Sequence, residues 1–350
     1  MKINLYGEPK VIISNPSSHH NYFGWPSIAR LQNGRIAVVC SGFRLEHVCP
    51  FGKAVISYSD DNGETYSAPA PVIDTVLDDR DAGITPFGES GVIVTSFNNT
   101  RAFQRSCSPD NTYITSYLDS VSDEEEKEAL GSEFRISFDN GTTFGKIYKS
   151  PVTSPHGPLC LKNGSVIWIG RVFSEYNSFY KGEQGVKCLK INPDGSLEHI
   201  GKIPDIDGVQ ACEPHTVELD DGTLVCHIRA DNDFSTYQSI SEDGGKTWSV
   251  PEQILPPHGG APAHLILHSS GVLISVYGYR EKPYGIRAMF STDGGKTWDT
   301  DNIICKNDVS SDLGYPATIE LDDGTLLTVF YAHPDNNSPA VIMQQKWSIK

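Results

Sequence analysis

The chain has 350 residues, with 28 Lys and Arg against 44 Asp and Glu and a formal charge of −16 at pH 7 with His neutral. That length can bury a large core, while the acidic balance argues against a nucleic-acid or anionic-membrane surface, each of which needs a basic face. With 32 Gly and 22 Pro beside 10% aromatics, turn formers and strand formers dominate together, which points to many short strands and few helices.

No run approaches the ~18 to 20 apolar residues that a membrane helix needs. The N-terminal stretch MKINLYGEPKVIISNPSSHH has no apolar segment ahead of a small-residue cleavage site. The eight cysteines, at 40, 49, 107, 160, 188, 212, 226 and 305, include no Cys-x-x-Cys pair. Their spacing matches neither a zinc site nor a compact disulfide framework, so buried, reduced thiols are expected. Together these features predict a cytoplasmic protein with no nucleic-acid or membrane partner.

In chain order, PKVIIS near residue 9 is the first predicted strand. From Trp25 a loose repeat begins: a Pro or Gly, a few apolar residues, a Gly turn, then an apolar run. Its six copies are WPSIARLQNGRIAVVCSGFR from Trp25, DAGITPFGESGVIVTSF from Asp81, HGPLCLKNGSVIWIGR from His156, EPHTVELDDGTLVCHIR from Glu213, PAHLILHSSGVLISVYGYR from Pro262 and YPATIELDDGTLLTVFYAH from Tyr315. The turn glycines are read as 34, 91, 164, 222, 271 and 324. A tighter octet, Ser-x-Asp-x-Gly-x-Thr-aromatic, recurs at Ser59, Ser137, Ser241 and Ser291. In it the Asp can accept from turn amides, and the Gly supplies a positive φ. A step of roughly fifty residues holding two hairpins is one four-stranded propeller blade. The prediction is therefore all-β: one domain over 1–350, a six-bladed β-propeller of four-stranded antiparallel blades with Asp-box hairpins. An insertion at about 98–134 interrupts the second blade, where SDEEEKEAL, with Ser122 and Glu125 in capping-box spacing, predicts its one helix. The last strand, AVIMQQKWSI from 340, is expected to pair with the first and close the ring.

Inner strands of a propeller converge on its axis. Nine positions before the turn glycine stand Trp25, Pro155, Glu213, Pro262 and Tyr315, and Asp81 joins them if the GES segment holds a one-residue bulge. The second strands of the copies end in Arg44, Arg171, Arg229 and Arg280, with His333 in the sixth and, less clearly, Arg101 in the second. Guanidinium groups cannot lose their charge and match a carboxylate bidentately, so several near one axis would form an anion site. His156 and His264, at inner-strand starts, are assigned to substrate contact; His215 is left undecided. No convergent ligand spacing indicates a metal, and no Gly-rich loop follows a strand into a helix, so no cofactor is expected.

Four Asp boxes on a six-blade pattern resemble the sialidase (neuraminidase) superfamily over essentially the whole chain. The segment EPHTVELDDGTLVCHIR is similar to the stretch that holds the family's catalytic Glu and a carboxylate-binding Arg, which implies those roles for Glu213 and Arg229. YGYR implies Arg280 as another triad arginine, with Arg287 second, and GYPATIELDDGTLLTVFY implies Tyr315 as the nucleophile. Two departures stand out. Phe23-Gly24-Trp25-Pro26 occupies the place of the family's Arg-Ile-Pro, so Arg44 is the expected replacement. The loop that carries the family's acid/base Asp reads RLEHVCPFGK, so Asp81 is the preferred substitute and Glu46 the second. Trp25, His47 and Arg80 complete the expected substrate contacts. The resemblance implies a retaining exo-glycosidase acting on terminal sialic acid or a related acidic sugar. A phenol suits a substrate whose anomeric carbon bears a carboxylate, because a carboxylate nucleophile would be repelled, and a neutral phenol needs an adjacent base. A hydrolase or lyase for a uronate, and a glycan-binding propeller without catalysis, are the competing readings.

Overall fold

Runs such as Ile36–Cys40 and Val92–Val94 are apolar at consecutive positions and buried along their whole length. That pattern belongs to strands covered on both faces, as happens when sheets stack face to face around a ring. The computed structural model describes residues 1–173, 183–307 and 309–350. The chain lays down β1 (Ile3–Ile13) and then builds six sheets in succession. Sheet one holds β2 (Tyr22–Arg30), β3 (Ile36–Arg44), β4 (Lys53–Ser59) and β5 (Ala70–Ile73). Sheet two holds β6 (Arg80–Phe87), β7 (Gly91–Phe97), β8 (Ser132–Ser137) and β9 (Tyr148–Ser150). In sheet three the inner strand is split into β10 (Val152–Thr153) and β11 (Leu159–Cys160), both against β12 (Val166–Val172), followed by β13 (Val186–Ile191) and β14 (Leu197–Lys202).

Sheet four is β15 (Ala211–Glu218), β16 (Leu224–Ala230), β17 (Thr236–Ser241) and β18 (Glu252–Leu255). Sheet five is β19 (Ala263–Leu267), β20 (Leu273–Tyr279), β21 (Gly285–Ser291) and β22 (Asp299–Lys306). Sheet six is β23 (Gly314–Glu320), β24 (Leu326–Ala332) and β25 (Val341–Ile349), with β1 as its outermost strand. The pairing of β1 with β25 runs antiparallel from Ile3↔Ile349 to Ile13↔Ile342, so the two chain ends close the six-bladed propeller as the sequence predicts. Apolar layers fill the gaps between neighbouring blades. Ile36, Val38 and Cys40 of the first meet Leu327, Val329 and Tyr331 of the sixth, and Val92 and Val94 of the second meet Ala37 and Val39 of the first.

The four octets are hairpin turns between the third and fourth strands of their blades. Asp61 Oδ1 accepts from Thr65 N at 2.9 Å and Ser59 Oγ from Gly63 N at 2.9 Å, while Gly63 sits at φ +80. Each Asp is pushed down to about 2, first by side-chain hydrogen bonds from the box Thr or Ser. The boxes also bolt blades together. Gln344 of the sixth blade donates to Gly63 O at 2.6 Å, and Tyr66 OH donates back to Gln344 at 2.8 Å.

Two expectations need correction. The insertion between β7 and β8 contains three short helices, α1 (Arg101–Cys107), α2 (Thr112–Ser120) and α3 (Asp123–Ala129); only α3, with its Ser122–Glu125 capping box formed, was legible. The first two lack its charged periodicity, and α2 forms where its Ile114 and Leu118 bury against Cys49. Second, Gly91 is not the turn glycine of its copy. It begins β7, and Gly88, three residues earlier, holds the positive φ, so counting back from a turn glycine does not place Asp81; its register follows from the ladder pairing of β6 with β7.

A bulge occurs elsewhere, at the start of four inner strands. Ladder pairing slips between Gly24 and Ser27, Arg80 and Gly83, Cys212 and His215, and Gly314 and Ala317. Inside those slips Trp25, Asp81, Glu213 and Tyr315 adopt left-handed φ of 54, 50, 48 and 46. Bulky residues avoid that region, and a bulge re-aims the side chain it carries. Four side chains are thus turned out of their sheets at one level around the ring. Pro155 and Pro262 occupy the same level in blades three and five, where the pyrrolidine ring forbids positive φ.

Candidate active site

Two of the four bulged residues meet across the axis. Tyr315 OH donates to Glu213 Oε1 at 2.5 Å, and Arg229 Nη1 reaches both Glu213 Oε2 at 2.7 Å and Tyr315 OH at 3.2 Å. Arg229 comes from β16, directly opposite Cys212 on β15, which is why one hairpin delivers both the carboxylate and the guanidinium. Its Nη2 holds Asp231 at 3.0 Å. The Tyr315 phenol is buried, and burial raises its pKa well above 10; Glu213 and Asp81 add to this while Arg229 and Arg280 oppose it. At rest the phenol is therefore neutral, with its proton already directed at Glu213.

Arg280 approaches the other edge of the phenol, its guanidinium carbon 5.7 Å from the Tyr315 ring centroid and 5.5 Å from that of Phe234. Its Nε donates to Leu313 O at 3.1 Å, and neither Nη has a protein partner among the described residues. Arg280 lines a cavity of about 630 Å³ together with Phe234, His47 and Asp312. A separate crevice of about 120 Å³ holds Asp81, Glu213, Arg171 and Asp231. There the Asp81 carboxyl is pushed up to about 7, by burial first, with Arg80 opposing and Glu213 adding, and its Oδ1 is buried without a partner. The arrangement sets a neutral phenol against a carboxylate, beside a guanidinium with no Nη partner among the described residues and a carboxyl that is partly protonated at neutral pH.

The structure spreads the remaining expected residues differently. Arg44 is 0% exposed and forms an ion pair with Asp78, itself 1% exposed, at 2.6 Å. It cannot reach a ligand. Its Nη2 and Nε instead hold the backbone carbonyls of His47, at 2.8 Å, and Glu46, at 3.4 Å, and a side chain on Gly52 would collide with the pair. Arg80 shares Asp78 at 3.3 Å and also donates to His47 O at 3.3 Å. Both guanidinium groups also approach the Trp25 ring, with their carbons 4.8 and 4.3 Å from its centroid. Glu46 is engaged by the Ser108 hydroxyl beyond α1, which ties it to the insertion. Arg101 caps the insertion through Glu126 and Asp123, and Arg287 is paired with Asp301 over Tyr279. The arginine regularity was a coincidence of strand ends: Arg44 and Arg280 lie three and two residues beyond the positions that match Arg229, Ser41 and Gly278.

Asp312 was not foreseen. It accepts from Tyr22 at 2.8 Å, Tyr331 at 3.0 Å, His47 at 3.1 Å and His333 at 3.1 Å. Burial would raise its pKa, but the bonds from His333 and His47 more than offset that and hold it far below the carboxylate range. Its position three residues before Tyr315 was the only available signal. Asp78, in LDDRD, was equally silent.

His156, His215 and His264 meet near the axis, with ring centroids 5.3, 5.0 and 4.2 Å apart. Leu265 N–H donates to His215 Nδ1 at 2.9 Å and Thr318 N–H to His264 Nδ1 at 3.4 Å. Both neutral rings therefore carry their proton on Nε2 and lack a free lone pair there for a metal. Among the described residues no cluster of three or more His, Cys, Asp or Glu has a metal-holding arrangement. Burial pushes His215 down to about 3, as it does His227 near Trp298, and lowers His156 and His264 as well. Each of these rings binds its proton only after unfolding. Their stabilising contribution is complete above the unfolded value of about 6.5 and declines as pH falls below it, by about 1.4 kcal/mol per pH unit for each independent ring. Urea midpoints measured from pH 7.5 to 4.5 should fall across this window, less steeply in His227→Gln. A flat profile would contradict burial of neutral imidazoles.

Comparison with known proteins agrees with this architecture. The sequence matches the BNR repeat-like domain family over residues 151–328. No curated protein sequence matches significantly. Among solved structures, a protein of unknown function from Dyadobacter fermentans superposes with a TM-score of 0.78 at 20% identity, covering 99% of both chains. The NanB sialidase of Streptococcus pneumoniae gives 0.69 at 16% identity, over 99% of this chain and 71% of that one. The intramolecular trans-sialidase of Ruminococcus gnavus gives 0.67 at 12% identity, over 97% of each. At such identities the likeness is one of fold. The six-bladed propeller is the fold shared with those sialidase structures, and the chain belongs to the BNR repeat-like domain family.

Proposed function

We propose that the protein is a retaining exo-glycosidase that removes a terminal sialic acid or a closely related acidic sugar. The observation that carries this reading is the Tyr315–Glu213–Arg229 constellation, a phenol already hydrogen-bonded to a carboxylate at 2.5 Å, beside an Arg280 guanidinium whose two Nη groups have no partner among the described residues. Sialidases among the structural neighbours support the same class. Arg280 holds the substrate carboxylate, while Arg229 holds Glu213 and the phenol in place. Glu213 takes the phenol proton as Tyr315 Oη bonds to the anomeric carbon, the leaving oxygen departs with a proton, and water later releases the sugar with retained configuration. Asp81 offers a hydrogen-bond donor to the bound ring when protonated. One guanidinium in place of three predicts weaker carboxylate capture, because Arg44 is buried against Asp78 and Arg229 is paired with Glu213 and Asp231.

A panel of 4-nitrophenyl glycosides tests the class. Release of nitrophenol from the α-sialoside, with the α-anomer appearing first by NMR, is the expected result. Cleavage of a hexuronide in its place would move the assignment to a uronate enzyme, and glycan binding with no turnover of any member would make the protein a lectin-like propeller.

A further inference from the structure

We infer that His47, pinned by Asp312, is the catalytic acid and base that serves the leaving-group oxygen. This rests on the glycosidase reading above and replaces both carboxyl groups expected for that step. Displacement at the anomeric carbon requires the leaving oxygen to lie on the side opposite the phenol. Asp81, the donor expected from sequence, shares its crevice with Glu213, the partner of the phenol, and Glu46 is committed to Ser108. His47 lines the cavity of Arg280 instead, with its side chain 51% exposed.

Five separate groups converge on this one residue, the Tyr22 hydroxyl among them at 3.2 Å from Nδ1. Its Nδ1 bonds Asp312 Oδ1 at 3.1 Å, and Asp312 is immobilised by Tyr22, Tyr331 and His333. Its carbonyl accepts from Arg44 and from Arg80, so the two arginines that seemed destined for substrate hold the loop. Its ring stands edge-on to Trp25, with centroids 4.9 Å apart. A carboxylate on Nδ1 sets the tautomer and leaves Nε2 as the atom that exchanges protons, as in other Asp–His pairs. Arg80 Nη2 lies 3.5 Å from that Nε2.

The step balances as follows. Protonated His47 gives its Nε2 proton to the leaving oxygen as the C–O bond breaks, while the phenol proton passes to Glu213. Water then gives a proton to Nε2 and bonds to the anomeric carbon, and the phenolate leaves and recovers its proton from Glu213. The groups facing the ring are Asp312, Arg80, Arg44 and Tyr22. Burial lowers its pKa, the Asp312 hydrogen bond opposes this, and the Arg80 and Arg44 charges add to the lowering. The required imidazolium is therefore lost as pH rises toward neutrality, and kcat/KM should show an acidic optimum.

The test compares a methyl or sialyllactose substrate, with a poor leaving group, against a 4-nitrophenyl sialoside, which departs without protonation. In His47→Gln, kcat on the poor leaving group should fall about 10²- to 10⁴-fold and on the aryl glycoside less than about tenfold at the glycosylation step. His47→Asp should recover part of the loss with a displaced alkaline limb. Asp312→Asn, a positioning change, should shift that limb with a smaller loss. Equal losses on both substrates, or the leaving-group-dependent pattern appearing in Asp81→Asn instead, would overturn the assignment. Wild-type protein that cleaves neither substrate overturns the glycosidase reading, and this inference with it.

Discussion

Tyr315→Phe should lose at least about a thousandfold in kcat on any glycoside the protein cleaves, with its fold intact. In the proposed mechanism the phenol oxygen, held against Glu213, forms the covalent intermediate, and the Glu213 carboxylate would be repelled by a substrate carboxylate at the anomeric carbon. The ring itself stays in place, packed against Trp25 and Tyr331 with centroids 6.4 and 6.1 Å away, and Glu213 keeps its 2.7 Å bond to Arg229. Removing one hydroxyl from a carboxylate that is still paired should change stability by no more than about 1 to 2 kcal/mol. A purified Tyr315→Phe variant that melts within a few degrees of wild type yet releases no aglycone is the expected outcome. Retained turnover would show that another group attacks the anomeric carbon.

Asp78→Ala should be the most destabilising single change near the site, by about 3 to 5 kcal/mol, because it strands the fully buried Arg44 guanidinium without a counter-charge. Asp78 also accepts from Cys49 N at 3.1 Å and from Arg80 at 3.3 Å, so the 45–52 loop should loosen along with the pair. The double variant Asp78→Ala with Arg44→Met removes both charges and should recover much of the loss, since apolar substitution of a buried pair is often tolerated. Chemical denaturation of the two variants checks this. If the double variant is no more stable than the single one, the energy resides in the loop contacts instead of the ion pair.

The architecture was legible because it repeats. Six copies of one hairpin and four of one turn octet leave a periodic trace that needs no knowledge of contacts. The trace reached the inner-strand starts as well: Trp25, Asp81, Glu213 and Tyr315 lie at one register, and that register carries the left-handed bulges. What sequence could not convey is the fate of each arginine. Arg44, Arg229 and Arg280 lie at the ends of second strands, yet one is sealed against Asp78, one is shared by Glu213 and Asp231, and one has both Nη groups without a partner among the described residues. Their differences come from carboxylates tens or hundreds of residues away.

Local chemistry along the chain determined the blade count, the turn type and the level at which side chains leave the sheets, because each depends on neighbours within a single hairpin. Tertiary structure alone decided which charges are neutralised and which are left without a partner. It brought Asp312 of the sixth blade beneath His47 of the first, at 3.1 Å across 265 residues, a contact that exists only once the ring is closed. Coulomb interactions and desolvation act through space, so the identity of a charged residue's partner cannot be read from its place in a repeat.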